Sequence, residues 1–539
     1  MLKKIHPLIL SLASGILLAA AWPPLPTTFL IFIAFIPLFM LADQQPRKWA
    51  FVGWCALSMM TWNALTTWWI WNSTGPGSIA AIIVNTVLMS IPWLAFYWAD
   101  KRFGSRYGHW AFIACWMTFE YVHLNWDLSW PWLTLGNVFA AQPSWIQWYE
   151  FTGTSGGSLW ILSLNVLLFK QLYRTGSLQI INRRAISITL LAGIGLPILI
   201  SVLVSTSSQK KDARLADDAR KHNEPLHNVV VVQPNIDPYK KFTAGTQDEQ
   251  LATLLQLSAS QIDSNTRLLV WPETAINLPN GIEEDSIRNN YLLKPLWDFL
   301  GKNPKLVLLS GLEGYKIYRS GEQSKYSRHI RDTELWYDSY NSAMLLDSSG
   351  ILSRYHKSKL VPGVELLPPF LNFLGPLLEQ FGGTTGGYAR QEERTVLRHV
   401  GNGYAIAPAI CYESIYGDFM TGFMRNGANI IGIITNDGWW GNTSGHKQHL
   451  LYARLRAIEN RRWIARSANT GISAFIDPYG RILQQQPWDK AIAIKEVVTL
   501  RREMSFFSRT GDLISKFMVA GVLVLILMSL KKKRKKPAL

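Results

Sequence analysis

Hydrophobic residues fall in long runs before residue 207 and after 511, and in short runs between. The long runs lie roughly at 6–22, 28–42, 51–71, 78–99, 108–125, 153–173, 186–206 and 512–530. A helix crosses ~30 Å of hydrocarbon with about 20 residues, so the pattern predicts eight membrane spans, of which 28–42 is marginal unless its flanks join it. The connections near 43–50, 100–107 and 170–185 carry Arg and Lys, as do both termini, whereas those near 23–27, 72–77 and 126–152 carry none. Positive charge gathers on the cytoplasmic side, so this alternation predicts both termini inside and the stretch between the seventh and eighth spans outside. Trp22-Pro-Pro-Leu-Pro lacks a small-residue cleavage site, which makes the first run an anchor rather than a cleaved leader.

The polar region opens on a linker, Ser205 through Asn223, with no apolar period and little expectation of fixed structure. Short apolar runs follow at Val229-Val-Val-Val, Arg267-Leu-Leu-Val-Trp, Lys305-Leu-Val-Leu-Leu, Ser342-Ala-Met-Leu-Leu, Tyr404 to Ile410, Asn429-Ile-Ile-Gly-Ile-Ile and Ile472-Ser-Ala-Phe-Ile. These read as buried strands, separated by helix-like stretches such as Gln448-His-Leu-Leu-Tyr-Ala-Arg-Leu. Asp347-Ser-Ser-Gly and Asp477-Pro-Tyr-Gly are turn signals joining strand pairs. The predicted organisation is a seven-helix membrane domain at 1–206, a linker at 207–226, an α/β domain at 227–505, and an eighth span with a basic tail at 506–539. Val364 to Leu378 and Trp439-Trp440 are apolar enough to be arms dipping into lipid, or equally core or lid. Gly382-Gly-Thr-Thr-Gly-Gly387 reads as a mobile loop over a site or a plain linker.

Composition supports the membrane reading: 24 Trp and 48% hydrophobic residues stand against 17% charged. The formal charge of +17 suggests a polyanion partner only until it is located. Seventeen basic residues lie at the termini and in the loops named above, accompanied by Asp43 and Asp100 alone, which leaves 37 basic against 35 acidic residues elsewhere. The charge reports topology, and nucleic acid is not an expected partner.

Among three cysteines, Cys55 and Cys115 fall in predicted spans and read as small packing residues. Cys411 ends the run Gly403 to Ile410 and begins a polar Tyr412-Glu413-Ser414 turn. A sharp bend there exposes a sulfur beside backbone N–H donors, although an inert buried cysteine reads the same from this strand alone. Two further strand ends carry chemistry. Trp271-Pro-Glu273 puts a carboxylate beyond Leu268-Leu-Val270, and Tyr355-His-Lys357 puts an amine after the hairpin. Strand ends on one edge of an α/β sheet share a crevice, so acid, amine and thiol can meet despite their separation. Taken singly, each is as readily a solvated strand end or charged loop. His446 and His449 sit one helical turn apart without a third ligand, so a surface role is expected and no metal site. With no phosphate-cradling Gly-Lys-Ser/Thr loop, no nucleotide or other cofactor is expected either.

Val270-Trp-Pro-Glu273, His356-Lys357 and Ile410-Cys411-Tyr-Glu413 resemble the Glu–Lys–Cys triad of the nitrilase superfamily, over most of 228–500. Eight spans with this domain before the last resemble its membrane-bound branch, the apolipoprotein N-acyltransferases of bacterial inner membranes. Gln233-Pro-Asn-Ile, Tyr340-Asn341-Ser, Glu365 eight residues after Lys357, Asn436-Asp-Gly-Trp-Trp-Gly, Ala453 to Glu459 and Arg466-Ser-Ala-Asn-Thr-Gly471 fit that branch. So do Glu120, Pro131-Trp132 and Gly136 in the membrane part. The chain departs from the branch at Pro362-Gly-Val-Glu365, where Pro-Phe-Gly-Glu is usual; at Phe242, where Trp is; and at His123, where Arg is.

The resemblance implies an αββα sandwich and a two-step acyl transfer. Cys411 would attack an acyl ester of a phospholipid, and the α-amine of a diacylglyceryl-cysteine on an apolipoprotein would then take the chain from the thioester. It further implies Glu273 as general base and Lys357 as oxyanion partner with the Tyr412 N–H. Glu365 and Glu413 would orient Lys357 and the incoming amine, Asn341 would support the site, and Phe242 and Trp439 would touch lipid. The place implied is a bacterial inner membrane, with the catalytic domain periplasmic. Two other readings stand beside it: a tethered nitrilase-like amidohydrolase acting on a soluble amide, and a catalytically silent lipid-binding scaffold.

Overall fold

The computed structural model describes residues 5–174, 177–178, 183–221, 227–243, 245–278, 281–366 and 387–531. Most of the proposed lipid arm (367–378), the glycine-rich loop at 382–386 and the basic run 532–536 lie outside the described residues. The chain forms two compact units: one holds the apolar helices before Ser208 and the helix Leu513–Lys531, the other Ser208–Arg509 with Asn72–Thr74.

Helices occupy each long apolar run: α1 (Pro7–Ala21), α2 (Ile36–Gln44), α3 (Lys48–Thr67), α4 (Gly75–Phe103), α5 (Ser105–His123), α6 (Tyr149–Leu172), α7 (Arg183–Leu190), α8 (Leu196–Lys221) and the final Leu513–Lys531. Among the described residues, three stretches are long and apolar enough to cross a membrane: Gly75–Phe103, Arg183–Arg214 and Leu513–Leu530. The run at 28–42 is not one helix. A 3₁₀ turn, Thr28–Phe32, gives way to the nine-residue α2. Asn165 of α6 explains the break. Its amide donates to the Ile31 carbonyl (2.9 Å) and accepts from Phe35 N (2.9 Å), while Ser14 donates to the Ala34 carbonyl (2.7 Å). Irregular backbone survives away from water only with such partners. Rings of Phe35, Phe39, Trp93, Phe112 and Trp116 fill the interior, the closest pair being Trp93 and Phe112 at 4.3 Å.

Glu120 of α5 needs no cation from position 123. Its carboxylate accepts from Trp116 Nε1 (3.0 Å), Leu135 N (2.8 Å) and Ser158 Oγ (2.7 Å). His123 instead stacks on Phe119 and accepts from Trp126 Nε1. The departure at His123 thus leaves the carboxylate satisfied.

The second unit is built on β1 (His227–Gln233), β2 (Thr266–Val270), β3 (Val307–Arg319), β4 (Leu335–Asp347), β5 (Gly350–His356), β6 (Tyr404–Ile410), β7 (Ile430–Thr435), β8 (Ile464–Ala468), β9 (Ala474–Ile476) and β10 (Ile492–Val498). One sheet runs β10-β1-β2-β3-β4, with β5 on β4; the other runs β6-β7-β8-β9, with short strands at both edges. In each, the central strands are parallel: β1, β2 and β3 in one, β6, β7 and β8 in the other. The continuous apolar runs follow from this, since β6 and β7 are buried at every position. The two sheets pack face to face. Ser467 Oγ donates to the Val232 carbonyl (2.6 Å), and a Cβ on Gly432 would lie 2.4 Å from Leu309. Helices α9 (Gln247–Gln261) and α10 (Lys294–Lys302) cover the first sheet through Leu251, Leu254, Leu296 and Leu300 against Val230, Leu269 and Leu308. Helices α11 (Gly417–Arg425) and α12 (Ser444–Asn460) belong to the second sheet's half of the unit.

The polar stretch after Ser205, expected to lack structure, continues α8 as helix to Lys221. Asp212 accepts from Tyr479 and from Arg501, so this turn is held by partners far along the chain.

The segment after β2 is pinned along β3. Trp271 N donates to the Leu309 carbonyl (2.9 Å), Gly311 N to Pro272 (3.2 Å), and Ile276 N to Gly311 (3.0 Å). A Cβ on Gly311 would lie 2.4 Å from Thr274 N and 2.6 Å from Glu273 Cα. That is backbone, which cannot swing aside. Gly311→Ala therefore overpacks the contact, with an expected cost of about 1–3 kcal/mol read as a lower unfolding midpoint of the detergent-solubilised protein. An unchanged midpoint would show that the close approach is not a constraint.

Candidate active site

The ends of β2, β5, β6 and β7 deliver the functional side chains, because parallel strands in each sheet finish on one edge. Lys357, one residue past β5, places its ammonium 3.2 Å from Glu273 Oε1 and 2.7 Å from Glu365 Oε1. Glu273 is held independently. Oε1 accepts from Asn341 Nδ2 (2.8 Å) and Oε2 from Asn436 N (3.1 Å). Glu365 accepts from Val361 N (2.9 Å) through its other oxygen. Acid and amine, 84 positions apart, thus meet, and Asn341 stands between both carboxylates.

Cys411 begins a 3₁₀ turn directly after β6 and has φ +51°. A non-glycine residue in the left-handed region costs roughly 1–2 kcal/mol and persists only where its surroundings impose it. The imposing groups surround it. Glu413, fully buried, accepts from Ile410 N (2.9 Å), Ser358 N (2.7 Å), Lys359 N (3.1 Å) and Tyr355 OH (2.6 Å), so one carboxylate ties the cysteine turn to the lysine turn. On the other side, His449 Nε2 lies 2.9 Å from Ser414 Oγ and 3.2 Å from the Cys411 carbonyl, while Nδ1 lies 2.9 Å from Asp437 Oδ1. Arg466 Nη2 closes the network on Asp437 Oδ2 at 2.7 Å.

Charge explains much of the site's behaviour. Burial alone would discharge Lys357, but Glu273 and Glu365, with Cys411, hold its pKa well above the ordinary lysine value, so it stays an ammonium. Burial pushes the Cys411 thiol up and the Glu273 charge adds to that, against the opposing pull of Lys357. Asp437, raised by burial on its own, is driven well below the carboxylate range by Arg466 and His449. Burial raises the Glu413 carboxyl, while Tyr355 and the three backbone donors oppose it.

Several expectations change here. Glu413 makes no contact with the Lys357 ammonium: fully buried, it is enclosed by backbone donors, among them Ser358 N and Lys359 N of the turn after Lys357, and by Tyr355 OH. His446 and His449 are fully buried rather than on the surface. Tyr412 is buried against Tyr416, and Trp439 is half-buried with its ring 5.3 Å from Tyr239. Phe242 is 40% exposed and lines a pocket. Sequence reasoning overlooked Lys241, whose fully buried ammonium donates to the Glu273 carbonyl (2.8 Å) and Thr274 Oγ1 (2.8 Å). Burial lowers its pKa to about 8, with Glu273 and Glu313 opposing. The roles of Asp437, His449 and Arg466 were signalled only by the motifs around them.

A thiol near its ordinary pKa of 9.0 would be partly ionised in mild base, and the surroundings of Cys411 argue against that. The rate of Cys411 alkylation, followed by peptide mass spectrometry across pH, is expected to inflect above the free-thiol value. An inflection at or below it would mean that a resting thiolate is present.

The family described as Carbon-nitrogen hydrolase matches residues 228–502, and the one described as Apolipoprotein N-acyltransferase N-terminal domain matches 14–167. The chain is 31% identical over 541 residues to the Apolipoprotein N-acyltransferase of Chlorobaculum tepidum, covering 96% of each chain. It is 27% identical to that of Geobacter metallireducens, covering 97% of this chain and 95% of that one. Among solved structures, the amidase from Nesterenkonia sp. AN1 is 16% identical with a TM-score of 0.34, covering 54% of this chain and 99% of the other. A nitrilase-superfamily member from Saccharomyces cerevisiae is 16% identical with a TM-score of 0.35, over 58% and 97%.

Proposed function

The chain belongs to the apolipoprotein N-acyltransferase family, a membrane enzyme with a nitrilase-like α/β domain, and from that premise we propose how its residues carry lipoprotein N-acylation. The observation that carries the reading is the buried ammonium of Lys357 between Glu273 and Glu365, coupled electrostatically to a thiol on a strained turn.

In the first step Glu273 takes the Sγ proton as Cys411 attacks the ester carbonyl of a phospholipid. Negative charge develops on the carbonyl oxygen, where the Lys357 ammonium and the Tyr412 N–H receive it, a contribution commonly worth about 100-fold or more in rate. Collapse expels the glycerol oxygen, which takes the proton from Glu273, leaving a thioester and a lysophospholipid. In the second step the α-amine of diacylglyceryl-cysteine attacks the thioester and gives its proton to Glu273. The sulfur leaves as thiolate and recovers that proton. Glu365 keeps Lys357 charged through both steps, and Asn341 fixes Glu273. The energy comes from the acyl ester itself.

The same reading extends to the setting. Eight spans, both termini cytoplasmic, would place the α/β domain at the periplasmic face of a bacterial inner membrane, where phospholipid and lipoprotein arrive laterally. Phe242 and Trp439 would meet their chains. The alternating basic loops support this orientation. Hydrolysis of a soluble amide is disfavoured, because likeness to the acyltransferases runs the length of the chain.

Cys411→Ala and Glu273→Gln are expected to abolish acyl transfer to a diacylglyceryl-cysteinyl peptide while leaving membrane insertion intact. Retained transfer by either variant would remove that residue from the mechanism.

A further inference from the structure

Glu313 lies on β3 directly opposite Asn341 on β4, so the two side chains share one face of the sheet. Asn341 Nδ2 contacts Glu273 (2.8 Å) and Glu365 (3.4 Å), which puts Glu313 one strand from the catalytic carboxylates. One Glu313 oxygen accepts from Tyr388 OH (3.0 Å), and Tyr388 N in turn donates to the Glu365 carbonyl (3.0 Å). The other oxygen has no hydrogen-bond partner among the described residues. Burial raises the Glu313 carboxyl, with Tyr388 and Lys241 pulling the other way.

This carboxylate opens onto a pocket of about 270 Å³ walled by Phe242, Tyr315 and Tyr388, with Ser339 beside them. The surrounding cluster is unbalanced. Glu273, Glu313 and Glu365 stand against Lys241 and Lys357, three carboxylates to two amines, and both amines already donate elsewhere. A carboxylate with a free oxygen at the wall of a pocket suits a primary ammonium, which gains a charge-assisted hydrogen bond there. We propose that this pocket is a subsite for a primary ammonium of the substrate, with Glu313 as its counter-charge and Tyr388 holding that carboxylate in place. The proposal rests on the acyl-transfer reading. That reaction offers two such groups: an ethanolamine headgroup on the donor, and the α-ammonium of the acceptor before it loses its proton.

The test compares full-length wild type with Glu313→Gln. Thioester formation at Cys411 is timed with phosphatidylethanolamine and with phosphatidylglycerol vesicles, and KM for a diacylglyceryl-cysteinyl peptide is measured on the preformed acyl-enzyme. A tenfold or greater loss of thioester formation from phosphatidylethanolamine, with phosphatidylglycerol unchanged, assigns the subsite to the donor headgroup. A tenfold rise in acceptor KM with both donors unchanged assigns it to the acceptor amine. Glu313→Asp, which keeps the charge, is expected to retain the selectivity in question. Unchanged rates with every substrate, equal losses with every substrate, or loss of selectivity in both variants would overturn the subsite. A wild type that forms no thioester at Cys411 would overturn the acyl-transfer reading and the subsite with it.

Discussion

The site depends on an ammonium buried between two carboxylates. Removing Lys357 from water is expensive, and only close, hydrogen-bonded anions compensate that cost. Glu273 and Glu365 provide them at 3.2 and 2.7 Å, and each is itself fixed by Asn341, Asn436 N or Val361 N. Glu273 and Lys357 follow β2 and β5 of one sheet, and Asn436 N, just past β7, ties Glu273 to the other. Loss of one carboxylate would leave a partly uncompensated buried charge, which links the chemistry of the site to the integrity of the fold.

A second buried network holds the turn that carries Cys411. The left-handed turn at Cys411 is unfavourable alone, and Glu413 on one side and the His449–Asp437–Arg466 group on the other fix its backbone. Glu413 also anchors the turn after Lys357 through Ser358 N and Lys359 N. Cysteine and lysine turns are therefore set at a defined separation by a group that touches neither the thiol nor the ammonium. Lys241 acts similarly on Glu273, through its carbonyl rather than its carboxylate.

Much of this was legible from local pattern. Continuous apolar runs such as Tyr404 to Ile410 and Ile430 to Thr435 have one stable use in a domain of this size, as central strands, and the residue just past each run then falls on the crevice. What stayed hidden depends on partners distant in sequence. The break near Phe35 is stabilised by Asn165, and the helix through Asp212 by Tyr479 and Arg501. Glu413 was expected to orient Lys357 and the incoming amine, yet besides Ile410 N beside it, its partners are Tyr355 OH, Ser358 N and Lys359 N, more than fifty positions away. His449, one helical turn from His446 with no third ligand in view, was expected at the surface, and only the fold shows Asp437 and Arg466 beside it. Lys241 follows no strand end, so no pattern marked it.

The most direct measurement is the mass of the Cys411 peptide after the full-length protein is mixed with phospholipid and no acceptor, then quenched in acid. Should sulfur at this position be the acyl carrier, that peptide gains one fatty-acyl mass, which hydroxylamine removes and acceptor peptide discharges. Continued transfer with the peptide unmodified, or with the acyl group on another residue, would contradict the account.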